Sequence, residues 1–465
     1  MKLRRLSKPP ATTSGIGAGA GVAVGATACA VVCACLVTLG SPLGAAAFPS
    51  SVTAVGGSPG AVAVDPATHR VYAADPSGDV VSVFDGSLDA PTIGRVTVGT
   101  HPVALALDAV AGRVYVANAD SATVSAFDAD DPSSPATNLV SIENPSAVAV
   151  DPVSHTVYVT SSSENRLYWF TDSDSAAGTP VLQWLPVGRE PSGVALDAVG
   201  HVVAVTNQGD NTVSVVTTAP SDDTSVPAGA GSAGSGSVGS GSAGSSTTRV
   251  TTVSVGASPC ALAIDPSLHV AVVANLRGDT VSRFDVRAST PTVSTVAVGR
   301  APRSVAIDPT THNAFVANSL GLTVSQFAVG AASPPVMSLP LGKAPRGVAV
   351  DESRGTVFAT NPLNGTVSGS PPLTPAAPTI VSAPPRVATV GVWYSHSVEA
   401  RGTPAPTLSL VGSLPAGLSF DASTGQLSGT PTAAGSSTVT VRAHNLAGPD
   451  AVATYTVSAL PKIAW

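Results

Sequence analysis

Five histidines share one spacing. His69, His155, His201, His269 and His312 each stand four residues after an aspartate. Imidazoles and carboxylates at regular intervals could build a metal centre, because neutral imidazole is a common metal ligand. A metal–nitrogen bond is only about 2 Å long, however, and each His–Asp pair sits in a different copy of a long repeat. The five rings are therefore expected on separate surface turns of one face, and no metal site is expected. Cys260 follows Pro259 with no histidine in its loop, which predicts a partly buried, inert thiol. Arg277-Gly-Asp279 spells an integrin-type tripeptide. The same loop in other copies reads Gln208-Gly-Asp-Asn and Pro76-Ser-Gly-Asp, so the repeat itself explains it. The remaining chemistry is basic. Arg303 and Arg346 each follow a repeat proline, with Arg300 and Lys343 two residues before those prolines. Two guanidinium groups at matching positions of consecutive copies repel unless solvent or an anion lies between them.

The repeat that must position these groups occurs seven times. Its anchors are a proline, an aspartate six residues on, and a polar residue ten further: Pro59-Asp65-Asp75, Pro102-Asp108-Asn118, Pro145-Asp151-Ser161, Pro191-Asp197-Asn207, Pro259-Asp265-Asn275, Pro302-Asp308-Asn318 and Pro345-Asp351-Asn361. The aspartates are 43, 43, 46, 68, 43 and 43 residues apart. The long step holds a Gly/Ser-rich tract, read as a disordered insert over 220–246. A period near 43 in a strand-rich sequence predicts propeller blades of four strands.

In the second copy, Pro102 starts an inner strand and Asp108 ends it, its carboxylate accepting from N–H groups further along the turn. The next strands are predicted at Arg113–Asn118, Thr123–Asp128 and 138–142. The insert falls between the third and fourth strands of the fourth copy. The seventh copy runs into a Pro-rich stretch before its fourth strand. The spare segment Ser51-Val-Thr-Ala-Val55 is expected to supply that strand beside Thr366–Ser368 and close the ring.

Tyr115-Val-Ala-Asn118, Phe315-Val-Ala-Asn318 and Val272-Val-Ala-Asn275, with the flanking Gly-x-x-Pro and Thr-Val-Ser elements, resemble the repeat of YVTN-family β-propellers. The resemblance covers about residues 51–368. The first, third and fourth copies depart from it, at Ala74-Asp75, Thr160-Ser161 and Ala204-Val-Thr-Asn207. The stretch Leu414–Thr432, through Leu418, Phe420, Leu427 and Gly429-Thr-Pro431, resembles the putative-Ig, cadherin-like domains, with the three apolar residues in its core. That resemblance carries an implication of calcium. The residues offer only Glu399, Asp421 and Asp450, widely spaced, where calcium needs several converging oxygens.

The expected fold class is thus all-β: a signal peptide over 1–47, a seven-bladed propeller over 51–370, a Pro-rich linker over 371–378, and an Ig-like β-sandwich over 379–460. Lys2, Arg4, Arg5 and Lys8 precede an apolar stretch and the small residues Ala45-Ala-Ala47, as in an exported protein. An uncleaved membrane anchor is the alternative. Cys29, Cys33 and Cys35 lie in that leader, so removal leaves Cys260 alone and no internal disulfide. Removal also leaves 18 basic against 29 acidic residues, a balance that argues against nucleic acid as partner.

The proline and Asn turns should emerge on one face of the ring. There Arg300, Arg303, Lys343, Arg346, Arg189 and Arg277 face Asp79, Asp120, Glu143 and Glu164 from the first four copies. The expected function is non-catalytic recognition by a secreted or cell-surface protein, with Arg303, Arg346, Arg300 and Lys343 holding an extracellular ligand, whether an anionic small molecule, a glycan or a protein. No cofactor is expected. A lactonase- or lyase-type propeller enzyme is the first alternative, with His101 and Glu190 the nearest candidates, and a surface-layer component is the second.

Overall fold

The computed structural model describes residues 51–172, 180–217, 248–339, 341, 343–385, 387–445 and 447–462. The predicted leader and the 220–246 insert lie outside the described residues. Residues 51–370 form seven antiparallel sheets of four strands each. In the second repeat the strands are Pro102–Asp108, Arg113–Asn118, Thr123–Asp128 and Thr137–Ser141. The inner strand of each repeat touches that of the next, and the inner strand of repeat 7 touches that of repeat 1, which makes a closed ring. The spare N-terminal strand Ser51–Ala54 pairs antiparallel with Thr366–Ser370, Val52 opposite Ser368 and Thr53 opposite Val367. It completes the sheet of repeat 7 and leaves no open edge at the seam.

The second strands are the most deeply buried, because they are sandwiched between neighbouring sheets. In Arg113–Asn118 every residue after Arg113 is buried. The apolar clusters lie between repeats: Tyr115 and Val124 pack with Val148, Val157 and Phe170 of the following sheet. β-branched and aromatic residues suit such two-sided burial.

A buried polar network sits at the turn end of these strands. Asn118 Nδ2 donates to Ser125 Oγ (2.9 Å) and Thr123 Oγ1 (3.2 Å). Asn207, Asn275 and Asn318 repeat both bonds in their own sheets, and Asn361 repeats the bond to serine. The Gly-x-x-Pro glycine lies directly over this amide. A Cβ on Gly99, Gly188, Gly256 or Gly299 would stand 2.5–2.7 Å from the asparagine Cγ.

The opposite ends of the inner strands are tied by aspartates. Asp108 Oδ1 accepts from the N–H groups of Val110 and Ala111, and the other repeat aspartates cap their turns likewise. The histidines four residues on are left-handed, with φ between 52° and 61°. They are not isolated surface residues, as the spacing alone suggested. His155 Nδ1 lies 2.7 Å from Asp108 Oδ2, His269 Nδ1 2.6 Å from Asp197 Oδ2, His312 Nδ1 2.8 Å from Asp265 Oδ2 and His69 Nδ1 2.8 Å from Asp351 Oδ2. Each bond joins a histidine to the aspartate of the preceding repeat.

The domain after residue 375 has three sheets. Ala388–Thr389, Ala451–Leu460, Gly435–His444 and Thr407–Val411 form one; Tyr394–Ser397, Gln426–Gly429 and Leu418–Asp421 form another; Ala376–Ile380 pairs with Ala400–Thr403. Its core joins Val439, Val441, Tyr455 and Val457 of the first sheet to Leu427 of the second, with Leu418 and Phe420 half-buried against them. Between Ala388–Thr389 and Tyr394–Ser397 the chain turns at 390–392, and Trp393 is left exposed.

Candidate functional site

The two turns of each repeat meet on one face of the ring. Ala119 N–H donates to His101 O, Gln208 N–H to Glu190 O, Leu276 N–H to Ser258 O and Ser319 N–H to Ala301 O. Turns after the second strands are thereby fastened to the proline turns, which fixes where Arg300 and Arg303 stand, while Ser319 Oγ donates to Pro345 O (2.7 Å) beside Arg346.

The residue after each proline has unusual geometry. The pairing of inner and second strands shifts register between Pro102 and Ala104, and likewise after Pro145, Pro191, Pro259 and Pro302. Each shift is a β-bulge, which frees one residue from the ladder and re-aims its side chain. Repeat 7 has the same pattern, since Arg346 N–H donates to Thr360 O and Thr360 N–H to Gly347 O. The bulged side chains lean one repeat forward. Ser146 Oγ donates to Pro191 O (2.6 Å), Ser192 Oγ to Pro259 O (3.1 Å) and Cys260 Sγ to Pro302 O (3.3 Å).

Arg303 and Arg346 occupy the next two places on this track. Both are exposed. Arg346 leans over repeat 1, where its Nε lies 3.8 Å from the place a Cβ would take on Gly60. Although the residue keeps solvent access, partial desolvation by the atoms packed around its guanidinium draws its pKa below the ordinary arginine value, and the positive charge of Arg303 adds to the effect. The inner strands of the repeats that carry the two arginines are neighbours in the ring. Among the described residues neither guanidinium has an ion pair or a hydrogen bond. Arg300 and Lys343 likewise have no carboxylate partner there.

Several other charges on this face are engaged within the chain, whereas the Arg277 guanidinium and the Glu143 carboxylate have no partner among the described residues. Arg189, placed on this face from the sequence, holds Asp210 at 2.6 Å. Asp79 Oδ1 accepts from His101 N–H, and Asp120 stands 3.2 Å from His101 Nδ1. Asp279 of the Arg-Gly-Asp stretch caps Ala301 N–H at 2.9 Å, the place Asp79 takes in repeat 1. Glu164 is bound by Tyr168 and Arg166. His101 pairs with Asp120 rather than with Glu190, so those two enzyme candidates do not come together in an ion pair. Burial pushes the Cys260 thiol up to about 11, which keeps it protonated at neutral pH.

Two of the three candidate calcium ligands are also engaged, and the Glu399 carboxylate has no partner among the described residues. Asp450 holds His444 and Arg442, and Asp421 accepts from the Ser423 N–H and hydroxyl within its hairpin turn. Among the described residues no cluster of three or more metal-ligating side chains occurs.

The bulge was absent from the sequence reading. Its signal was present, since the proline-to-aspartate and aspartate-to-Asn spacings place Pro102 opposite Asn118 with one residue too many between them.

Residues 377–459 match the family described as Putative Ig domain. No curated protein matches the chain. Among solved structures the chain is similar to the Kuenenia stuttgartiensis hydrazine synthase, with 14% identity and a TM-score of 0.54 over 68% of this chain and 96% of that one. At that identity the likeness is one of fold alone. An all-β, propeller-like ring of repeats is followed by an Ig domain.

Proposed function

We propose that this protein is a non-catalytic binding protein, secreted or held at the cell surface, which captures an anionic ligand on the turn face of its propeller. The seven sheets are read as the blades of a seven-bladed, YVTN-type propeller, and the C-terminal domain as an Ig-like β-sandwich that serves as spacer or adhesive module. Arg303 and Arg346 are the central contacts, and Arg300 and Lys343 stand at the rim.

One observation supports this reading above the others. Two neighbouring guanidinium groups, one of them partly desolvated by its surroundings, have no counter-ion among the described residues, while Arg189 and the acidic groups Asp79, Asp120 and Glu164 are engaged. A carboxylate or sulfate between the two groups would relieve their repulsion and accept paired N–H donors from both. The geometry favours binding over catalysis, because among the described residues no carboxylate or imidazole is paired with the arginines as a base.

The test is calorimetric titration with citrate. Wild-type protein should bind it, and the R303A/R346A variant should show no measurable heat while melting as wild type does. Equal affinity in the two proteins would remove the site.

A further inference from the structure

Repeat 3 breaks the pattern of its neighbours at one place. The third strand opens Val80-Val-Ser, Thr123-Val-Ser, Thr212-Val-Ser, Thr280-Val-Ser, Thr323-Val-Ser and Thr366-Val-Ser in the other six repeats, and Arg166-Leu-Tyr in this one. The serine normally bonds the buried asparagine. With Tyr168 in its place, the asparagine position holds the smaller Ser161. The cross-strand partner changes as well. Residues opposite the serine are Arg95, Asn138, Thr252, Thr295 and Ser338 in repeats 1, 2, 4, 5 and 6, whereas Trp184 stands opposite Tyr168. Of the chain's 4 tryptophans, two, Trp169 and Trp184, fall in this repeat.

These substitutions assemble one cluster. The Arg166 guanidinium lies 3.8 Å from the centroid of the Trp184 ring. Arg166 Nη1 donates to Tyr168 Oη (3.1 Å), and Tyr168 Oη donates to Glu164 Oε2 (2.6 Å). Glu164 Oε1 stands 3.3 Å from Arg166 Nη1. Trp184 nevertheless keeps 39% of its surface open. The Glu164 and Arg166 side chains are 30% and 35% exposed. Packing alone does not require a tryptophan here, since the other repeats complete their fourth strands without one.

We infer that Trp184, Glu164 and Arg166 form a binding site for a neutral carbohydrate on the outer strands of repeat 3. The cluster pairs one carboxylate with one guanidinium, so it has no net charge and offers nothing to an anion. Its surface combines an exposed indole, which suits the apolar C–H face of a pyranose, with planar acceptor and donor groups that match neighbouring hydroxyls. The Arg166 stack and the Tyr168 phenol hold these groups in place before any ligand arrives, which lowers the ordering cost of binding. Glu164 and Arg166 would contact the sugar hydroxyls, while Tyr168, which is buried, is a positioning residue.

The experiment is titration of the full mature chain with cellohexaose, xylohexaose and mannohexaose, followed by tryptophan fluorescence and calorimetry. At least one hexaose should bind in the millimolar range or tighter. W184A should weaken it at least about tenfold, as loss of an aromatic anchor does. E164Q, which keeps the size of the side chain, should weaken it too, and both variants should melt as wild type. W393A and R303A/R346A should bind the hexaose unchanged, which separates this site from the anionic one. Absence of binding to all three hexaoses, or unchanged affinity in folded W184A or in E164Q, would overturn the inference.

Discussion

His69 Nδ1 lies 2.8 Å from Asp351 Oδ2, a bond that spans 282 residues and fastens the first repeat to the seventh beside the ring-closing strand. The same bond recurs at three other junctions, and one rule describes every junction except that of Asp151, where Ser154 is followed by His201 in the next repeat. Where the residue three after the aspartate is a hydroxyl, it satisfies Oδ2 locally: Thr68 on Asp65 (2.6 Å), Ser154 on Asp151 (2.9 Å) and Thr311 on Asp308 (2.8 Å). Where that residue is Ala111, Gly200, Leu268 or Arg354, the following repeat reaches back with a histidine. After Thr68 and Thr311 the histidine position is glycine, Gly112 and Gly355, at φ 64° and 65°.

Changing His69 to Ala should therefore destabilise the ring. It leaves the Asp351 carboxylate, whose side chain is 2% exposed, with an unpartnered oxygen. The expected cost is about 1–3 kcal/mol in chemical denaturation. Adding R354T should recover much of the loss, because a threonine there can donate to Asp351 as Thr68 does to Asp65. No recovery would show that the local and cross-repeat bonds are not equivalent.

Gly299→Ala should also destabilise. The new Cβ would stand 2.7 Å from Asn318 Cγ, inside the buried amide network. Overpacking of this kind costs about 1–3 kcal/mol. G299A/N318A should be less destabilised than the sum of its single variants, since the collision disappears. Additive losses would place the clash elsewhere.

Joining Thr217 to Arg249 through Asn-Gly, with residues 218–248 removed, should not lower the melting temperature. The flanking strands are paired to their ends, Thr217 opposite Arg249, so a two-residue turn can connect them. Shortening a loop relieves closure entropy, by about 0.6 kcal/mol for each halving. A clear drop in melting temperature would mean that the removed segment packs on the ring.

Cys260 should resist alkylation. Burial lifts its thiol to about 11, so the reactive thiolate is scarce at neutral pH and grows only as the pH rises toward that value. Iodoacetamide labelling of native protein should be much slower than of urea-unfolded protein at pH 8. Equal rates would contradict the burial.

Much of the ring was legible in the sequence because its signals are local. Pro102, Asp108 and Asn118 mark strand ends by backbone chemistry, and Arg113–Asn118 and Thr123–Asp128 have the bounds that reading assigned. The closing strand was legible for a different reason: repeat 7 lacked one strand and Val52 to Val55 had no other partner. The His–Asp bonds were not, because each links residues of adjacent repeats and the signal becomes visible only once Leu268 is compared with His312, one repeat ahead. The Arg303 and Arg346 positions were readable from the register of the repeat. The bulge that frees their side chains was not, nor was the Arg189–Asp210 pair that removes one cation from the face. Trp184 was overlooked because its meaning lies in its cross-strand partner Tyr168.

The central claim is that Arg303 and Arg346 share an anion. The most direct measurement is anomalous diffraction from crystals soaked in selenate. The account predicts a selenium peak between the two guanidinium groups, within hydrogen-bonding distance of both, and its loss in R303A/R346A crystals. Wild-type crystals with both side chains ordered, and with no selenium between them, would contradict it.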